Sequence, residues 1–179
     1  MAARTPELLF EYGKKQLTEN HRKYARSLFR KALKEGKRDL DASTKAELLR
    51  TLAKVDRDLG FLEDSRVHYA MAAEIFRTLN NPLALAHTLR HEADILREQQ
   101  KVDEAETIYG EVLRLYRANS EHRPLDLANA LRGYALLKAA VGNKSESAAL
   151  WQEACALYET LGIEAGVAES RKNLAELGS

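Results

Sequence analysis

The stretch AHTLRHEADILREQQKVDEAETIYGEVLRLY, residues 86–116, has the pattern of two amphipathic helices joined by a short turn. Ala93 lies in the first helix, Ala105 follows twelve residues later in the second, and Tyr109 comes one turn after Ala105. Antiparallel helices approach closely only where side chains are small, so the two alanines mark the predicted crossing and the tyrosine fills the space beside it. The stretch therefore predicts a helix hairpin.

The same spacing recurs along the chain. The small residue of the first helix returns after 40, 40, 42 and 40 residues, as Gly13, Ala53, Ala93, Ala135 and Ala175. The small residue of the second helix is Ala25, Ser65, Ala105 and Ser147, and the aromatic residue four positions later is Phe29, Tyr69, Tyr109 and Trp151. Because one hairpin cannot bury both of its faces, this repeat predicts stacked hairpins that share a continuous core.

These columns resemble the tetratricopeptide repeat family. The residues that carry the resemblance are Leu89, Ala93, Ala105, Tyr109 and Val112 in one unit, and Leu131, Tyr134, Ala135, Trp151 and Ala154 in another. The period is longer than the usual repeat of about 34 residues, and it is similar to the extended repeats of kinesin light chains and bacterial regulatory proteins. The resemblance implies an all-α, right-handed solenoid of four helix pairs plus a C-terminal capping helix.

We expect one continuous domain over residues 1–179. The predicted repeats cover residues 5–40, 44–80, 82–118 and 124–162, and the capping helix covers 164–177. Predicted helix starts are Pro6, the capping pair Thr44 and Glu47, Pro82, the pair Asp103 and Glu106, Pro124, and the pair Asn143 and Glu146. Predicted helix ends are Gly36, as a left-handed cap, and Gly60, Gly142 and Gly162.

Composition restricts the class of protein. The 179 residues are 45% hydrophobic and 31% charged, which is enough for a buried core, and we expect neither an export signal nor a membrane span. The single cysteine, Cys155, lies on a predicted apolar stripe, which favours a core residue and a cytoplasmic location. Residues 1–40 hold 11 Lys or Arg against 5 Asp or Glu, so the basic charge is concentrated at that end.

The resemblance also implies a binding groove, because first helices line the concave surface in this family. The implied groove residues are Phe10, Lys14, Arg50, Lys54, Arg57, His87, Arg90, His91, Asp94, Arg97, Asn129, Arg132, Leu136 and Lys172. Four of them form a predicted ladder of cations, Arg50, Arg90, Arg132 and Lys172. Arginine binds carboxylates through two parallel hydrogen bonds, which favours an acidic peptide or protein segment as the ligand.

The ends of the predicted groove are apolar and would hold flanking hydrophobic residues of a ligand. These ends are Phe10 and Leu17 on one side, and Leu136, Ala139 and Ala140 on the other. An alternative interpretation of the ladder is a solvated helix face, on which Asp58, Asp94 and Glu98 pair with the arginines.

Two further clusters have a functional and a plain interpretation. His87, His91 and Asp94 share one helix face and suggest a metal site, but a fourth ligand is missing, so we prefer polar groove residues and predict no metal. The stripe of Arg22, Arg26 and Arg30, with Lys23, Lys34 and Lys37 nearby, could contact phosphates. It lacks interleaved aromatics, so we prefer a solvated outer face.

No phosphate-binding loop, zinc-type cysteine pair or nucleophile elbow occurs in the sequence. The predicted function is therefore a non-catalytic interaction scaffold without a cofactor, whose partner is a peptide or protein rather than a membrane. The alternatives are a self-associating element, which would make a homo-oligomer through the N-terminal helix pair, a regulatory segment of a larger signalling protein, and nucleic-acid contact through the basic first repeat.

Overall fold

The computed structural model describes residues 5–37 and 39–178, so Arg38 of the predicted linker lies outside the described residues. Within those ranges the chain forms nine α-helices: α1 (Pro6–Thr18), α2 (Arg22–Glu35), α3 (Ala42–Asp58), α4 (Leu62–Thr78), α5 (Pro82–Glu98), α6 (Val102–Arg117), α7 (Pro124–Ala140), α8 (Lys144–Thr160) and α9 (Glu164–Leu177). None of the helices in the described part of the chain has the length and apolar character needed to cross a bilayer.

Local side-chain caps explain several helix starts. Pro6 occupies the first turn of α1, as predicted, and Thr5 accepts a hydrogen bond from the Leu8 amide. At α8 the predicted pair is confirmed, since the Glu146 amide donates to Asn143 Oδ1 at 3.2 Å and Asn143 Nδ2 donates to Glu146 Oε2 at 2.9 Å. The first bond satisfies a backbone donor that a helix start would otherwise leave unpaired, and the second joins the two side chains.

Two predicted helix starts are wrong. Helix α3 begins at Ala42, before the predicted pair, because Asp41 accepts a hydrogen bond from the Thr44 amide at 3.0 Å. The hydrogen bonds from Thr44 also lower the pKa of the Asp41 carboxyl. Helix α6 begins at Val102 after Lys101, whose side chain makes no capping bond, so Asp103 and Glu106 do not mark its start.

Left-handed residues end most of the helices. Gly60 and Gly142 adopt φ values of 83° and 78°, each at the second position after a helix end, where an L side chain would be strained. Gly36 does not, since its φ is −87°, so the predicted left-handed cap there is wrong. A Cβ at Gly36 would lie 2.6 Å from Leu40 side-chain atoms, so close packing rather than backbone conformation requires that glycine.

The chain packs as two compact units, Met1–Thr88 and Leu89–Ser179, with the boundary inside α5. In the first unit α1 packs on α2, α2 on α3, and α3 on α4. The predicted crossings are present, because Gly13 leaves no room for a Cβ beside Phe29, and Ser65 Oγ donates to the Ala53 carbonyl at 2.7 Å. The core around α1–α3 consists of Leu9, Phe10, Ala25, Leu28, Phe29, Ala32, Leu48, Leu52 and Val55.

The second unit repeats this packing. Helix α6 packs on α7, α7 on α8, and α9 on α8 in the place predicted for the capping helix. Ser147 Oγ donates to the Ala135 carbonyl at 2.9 Å, and the side chains of Tyr109 and Trp151 are fully buried. The small and aromatic columns of the sequence therefore mark the helix crossings in this unit as well.

Cys155 is a core residue, as predicted, with 8% of its surface exposed. Burial and the Glu159 carboxylate, 3.7 Å from Sγ, raise the pKa of the thiol and reduce its thiolate fraction. We expect 5,5′-dithiobis(2-nitrobenzoate) at pH 8 to react more slowly with the folded chain than with the urea-unfolded chain, because burial both shields the thiol and reduces its thiolate fraction. Equal labelling rates would show that the thiol is accessible and ionised.

Candidate functional site

In the first unit, the side chain of Arg50 on α3 contacts residues of α3, α4 and α5. Its Nη2 donates to Glu47 Oε2 at 2.6 Å, and its guanidinium lies 5.7 Å from the centre of the Phe76 ring. Its Nη1 lies 3.5 Å from His87 Nδ1, so the structure brings together two of the predicted groove residues, one from α3 and one from α5. Arg50 is thus positioned, but its charge is already matched by a carboxylate.

A cavity of about 380 Å³ lies between α1 and α3, lined by Glu7, Phe10, Glu11, Lys14, Ser43, Thr44, Glu47 and Thr51. Three carboxylates and one ammonium line it, and Lys14 Nζ lies 2.6 Å from Glu11 Oε1. Phe10 is 6% exposed and packs edge-on against Phe29, so it is mainly a core residue rather than the predicted apolar contact for a ligand. The lining of this cavity therefore carries more acidic than basic side chains, unlike the predicted ladder of cations.

The remaining predicted residues of the first unit differ in exposure. Lys54 is exposed, Arg57 is half-buried and engaged in an interaction, and Leu17 packs against the core around α1–α3. Asp58, predicted to pair with a groove arginine, lies 3.7 Å from Arg22 Nε instead. These positions do not form a single set of converging groups.

In the second unit, α5 carries a compact polar cluster around Asp94. Arg90 Nη1 lies 3.2 Å from Asp94 Oδ2, and the Tyr109 hydroxyl donates to Asp94 Oδ1 at 2.6 Å. Burial and the Asp94 charge raise the pKa of Tyr109, so the phenol stays protonated and keeps donating. Arg90 Nη2 also lies 2.9 Å from His91 Nε2, which places three of the predicted residues in contact.

Gly133 allows α7 to approach this cluster. A Cβ at Gly133 would lie 2.6 Å from the Tyr109 hydroxyl oxygen and 2.8 Å from Asp94 Oδ1. Gly133 was not among the residues predicted from the sequence, although a glycine inside a helical pattern is a signal of close packing. Because Gly133 has no side chain, Tyr109 and Asp94 can pack against α7 next to Arg132, the preceding residue in the sequence.

On the other side of Arg132 lies α9. Arg132 Nε and Nη2 each donate to the Glu169 carboxylate at 2.7 Å, and the hydrogen bonds with Glu169 raise the pKa of Arg132. Tyr158 donates to Asn129 Oδ1 at 2.9 Å, one helical turn from Arg132. Glu169 was missed by sequence reasoning, because its partner lies 37 residues away and no local pattern links the two.

Two arginines of α5 retain buried N–H donors. The Nε atoms of Arg90 and Arg97 are inaccessible to solvent and have no hydrogen-bond acceptor within the described structure. Arg97 Nη2 lies 3.7 Å from Glu98 Oε1, so both predicted carboxylate partners on α5, Asp94 and Glu98, are in place. Because buried donors are nearly always paired, these two N–H groups are unusual.

The last two predicted groove residues lie at the margins of the unit. Leu136 is half-buried on α7. Lys172 is exposed on α9, and its Nζ lies 3.8 Å from Glu176 Oε1. Of the predicted apolar end, Ala139 is half-buried and Ala140 is exposed. Continuity of the cation ladder from Arg50 to Arg90 stays a prediction.

Within the arginine stripe of α2, Arg22 and Arg30 are exposed, as expected for a solvated outer face, whereas Arg26 is not. Arg26 has 18% of its side chain exposed, bonds to the buried carboxylate of Asp56, and donates to Asp64 at 2.6 Å. Its guanidinium also lies 4.0 Å from the Phe61 ring centre. Arg30 lies 3.6 Å from Asp64, so carboxylates of the next helix pair neutralise much of the stripe.

Among the described residues, no group of three or more His, Cys, Asp or Glu side chains is arranged to hold a metal ion. The polar groups that converge most closely are those of the second unit, on α5, α7 and α9. We call this set the unit-two face, and it consists of Arg90, Asp94, Arg97, Asn129, Arg132 and Glu169.

Comparisons with known proteins agree with this architecture. The tetratricopeptide repeat family model matches residues 44–118, and no curated protein sequence matches the chain. The crystal structure of BtubC (BKLC) from P. vanneervenii superposes with a TM-score of 0.79 at 17% identity, over 91% of this chain and 68% of that one. Apo RapI superposes with a TM-score of 0.83 at 14% identity, over 96% of this chain and 47% of that one.

A Rap protein crystallised in complex with Competence and Sporulation Factor superposes with a TM-score of 0.74 at 17% identity. This chain is 96% covered and spans 47% of that protein, so it corresponds to about half the length of either Rap structure. The predicted fold class, an all-α solenoid of helix-pair repeats, is confirmed by these superpositions and by the helix pairs of both units. Residues 44–118 therefore belong to the tetratricopeptide repeat family, and the chain has the fold of a tetratricopeptide repeat protein.

Proposed function

We propose that this chain is a non-catalytic scaffold that binds an acidic peptide or protein segment on the unit-two face. Tetratricopeptide repeats act as protein-interaction scaffolds, and one structural neighbour was crystallised with Competence and Sporulation Factor bound. The unit-two face supplies the groups such a ligand needs, because guanidinium and amide groups from α5 and α7 converge there. The proposal places the ligand against Arg90, Arg97 and Arg132.

The observation that carries this proposal is the pair of unpaired Nε–H donors on Arg90 and Arg97. They lie on one helix, seven residues apart, so they project from the same face two turns from each other. Because two helical turns separate the donors by about 10 Å, each needs an acceptor of its own, and two carboxylates or backbone carbonyls of a ligand that displaces the side chains covering them supply these acceptors. Hydrogen bonds to charged groups contribute about 1.5–3 kcal/mol each, which is enough to favour binding.

Arg132 supports the same conclusion through its rigidity. Glu169 holds its guanidinium by two hydrogen bonds that use Nε and Nη2, which leaves Nη1 outside that pair of bonds. A ligand acceptor that reaches Nη1 therefore meets a side chain already fixed in position. Such preorganisation reduces the conformational entropy lost on binding.

The test uses an array of synthetic twelve-residue peptides in which two Asp or Glu residues stand at varied separations, with Asn or Gln versions as uncharged probes. We expect acidic peptides to bind the wild-type chain, and Arg132→Glu to weaken binding at least about tenfold, which is 1.4 kcal/mol. The double variant Arg132→Glu with Glu169→Arg restores the ion pair while moving the positive charge, so it separates lost binding from lost folding.

The matched control is Arg117→Glu. Arg117 also forms an exposed ion pair in the second unit, with its Nη2 2.6 Å from Glu153 Oε2, but it lies on α6, away from the unit-two face. We expect this variant to bind like the wild type. Equal losses in the Arg117 and Arg132 variants, or no preference for acidic over uncharged peptides, would refute the proposal.

A further inference from the structure

One position of the repeat differs in solvent exposure between α1 and the first helices of the later repeats. It lies five residues before the small residue of each first helix, and its members are Leu8, Leu48, Thr88, Ala130 and Ser170. The four later members are completely buried, whereas Leu8 is 57% exposed. A position that is buried in every later repeat is therefore open to solvent in α1.

The structure also shows what normally covers this position. Leu48 and Leu52 of α3 pack into the core formed by the preceding helix pair, together with Ala25 and Leu28 of α2. The equivalents of Leu48 and Leu52 in α1 are Leu8, which is exposed, and Tyr12, which is half-buried and packs against the core around α1–α3. Leu8 therefore exposes to solvent an apolar side chain at a position where Leu48 is buried by helix packing.

The exposed surface around Leu8 extends onto α2 and is largely apolar. Tyr24 is 49% exposed and packs edge-on against Tyr12, with the ring centres 6.1 Å apart. A cavity of about 340 Å³ is lined by Leu8, Glu11, Tyr12 and Lys15, and another of about 560 Å³ runs past Tyr24 to Leu59. We call Leu8, Glu11, Tyr12, Lys15 and Tyr24 the α1 surface. Contiguous exposed apolar groups of this kind mark interaction sites.

The charges of the α1 surface are complementary to themselves. Glu11 and Lys15 are one helical turn apart and flank Tyr12, and both side chains are more than 60% exposed. When two copies of α1 pack antiparallel about a two-fold axis near Tyr12, Glu11 of each copy faces Lys15 of the other. An isologous dimer requires this kind of self-complementary patch.

The exposed side of α9 fits the α1 surface less well. The cavity on α9 is lined by Glu159, Gly162, Glu164, Val167, Ala168 and Arg171, so it offers no large apolar side chain to cover Leu8 and Tyr24. Arg171 in that cavity is bonded to Glu159 at 2.8 Å. A second α1 surface therefore covers Leu8 better than α9 of another copy does.

We infer that two copies of this chain associate through their α1 surfaces, with Tyr12 near the two-fold axis. The experiment is sedimentation velocity on the full chain from micromolar to near-millimolar concentration. We expect the mass to rise towards twice 20.2 kDa, and Leu8→Glu to keep the chain at a single mass of 20.2 kDa across the range. A monomer at every concentration would overturn the inference.

The matched control is Met71→Glu, which places the same charge at a residue that is 46% exposed on α4. It should associate like the wild type, and circular dichroism should show that both variants remain helical. If Met71→Glu is as disruptive as Leu8→Glu, the α1 surface is not the interface.

Cross-linking tests the symmetry separately. In a Cys155→Ala background, Tyr12→Cys is expected to form a disulfide dimer on mild oxidation, because a residue on a two-fold axis meets its own counterpart. Ala168→Cys should not form one. A dimer that resists cross-linking through Tyr12→Cys, or one that Ala168→Glu disrupts, would contradict the two-fold arrangement.

Discussion

Replacing Asp56 with alanine is expected to lower the free energy of unfolding by about 3 kcal/mol. The Asp56 carboxylate is fully buried, bonded to the guanidinium of Arg26, and its Oδ2 lies 2.8 Å from His68 Nδ1. Removing it leaves two polar groups, which are themselves largely buried, without their main acceptor. We place the loss at the lower end of the range for buried pairs because Asp64 still accepts a hydrogen bond from Arg26.

The measurement is a urea denaturation curve of the variant beside the wild type. Asp58→Ala is the matched control. Asp58 lies on α3 like Asp56, but it forms an exposed pair with Arg22 of α2. Exposed pairs contribute less than about 1 kcal/mol, so this control should unfold almost like the wild type. Similar small losses in both variants would mean that burial adds nothing to the Asp56 interaction.

The second unit contains an ion pair at the equivalent position with the charges exchanged. Lys138, which is 5% exposed, lies 2.6 Å from Glu106 Oε1 and 2.9 Å from Glu146 Oε2. Arg26 and Glu106 each follow the small residue of a second helix, and Asp56 and Lys138 each lie three residues after the small residue of the next first helix. If the second helix of one pair packed on the first helix of the other, like charges would meet at this position. The two ion pairs therefore favour the native helix neighbours.

The sequence predicted the helix crossings well because they depend on size alone. Ala53 and Ser65 were placed opposite each other by a spacing of twelve residues, and the structure joins them by a hydrogen bond. Helix periodicity carries this information within a single hairpin. The bond between Asp56 and Arg26 could not be predicted in the same way, because its partners are 30 residues apart and belong to different hairpins.

The sequence allowed only some of the ion pairs between groove arginines and carboxylates to be predicted. The bond from Arg50 to Glu47 joins residues three apart on one helix, a spacing that indicates an ion pair from sequence alone. The bond from Arg132 to Glu169 connects α7 and α9, and no spacing rule within one helix contains it. A pattern of cations along first helices therefore predicts their placement, but not how much charge they present to a ligand.

The second large effect is expected at the crossing of α1 and α2. Phe29 is fully buried and occupies the space beside Gly13, where a Cβ could not be added without displacing the ring. Phe29→Ala should lower the free energy of unfolding by about 3–5 kcal/mol, because it removes apolar contacts and leaves a cavity. Gly13→Val should cost about 1–3 kcal/mol by overpacking the same site.

Combining the two substitutions tests whether these residues share one space. The valine at position 13 can occupy part of the cavity left by the missing ring, so the double variant should lose less stability than the sum of the single losses, by about 0.5–3 kcal/mol. Urea denaturation of all four proteins gives this coupling energy. Gly110→Val is the control, because a Cβ at Gly110 meets no atom within 4 Å. This substitution should change the free energy of unfolding little. Strict additivity would show that the small and aromatic columns do not form the crossing, since residues that fill one space cannot respond independently.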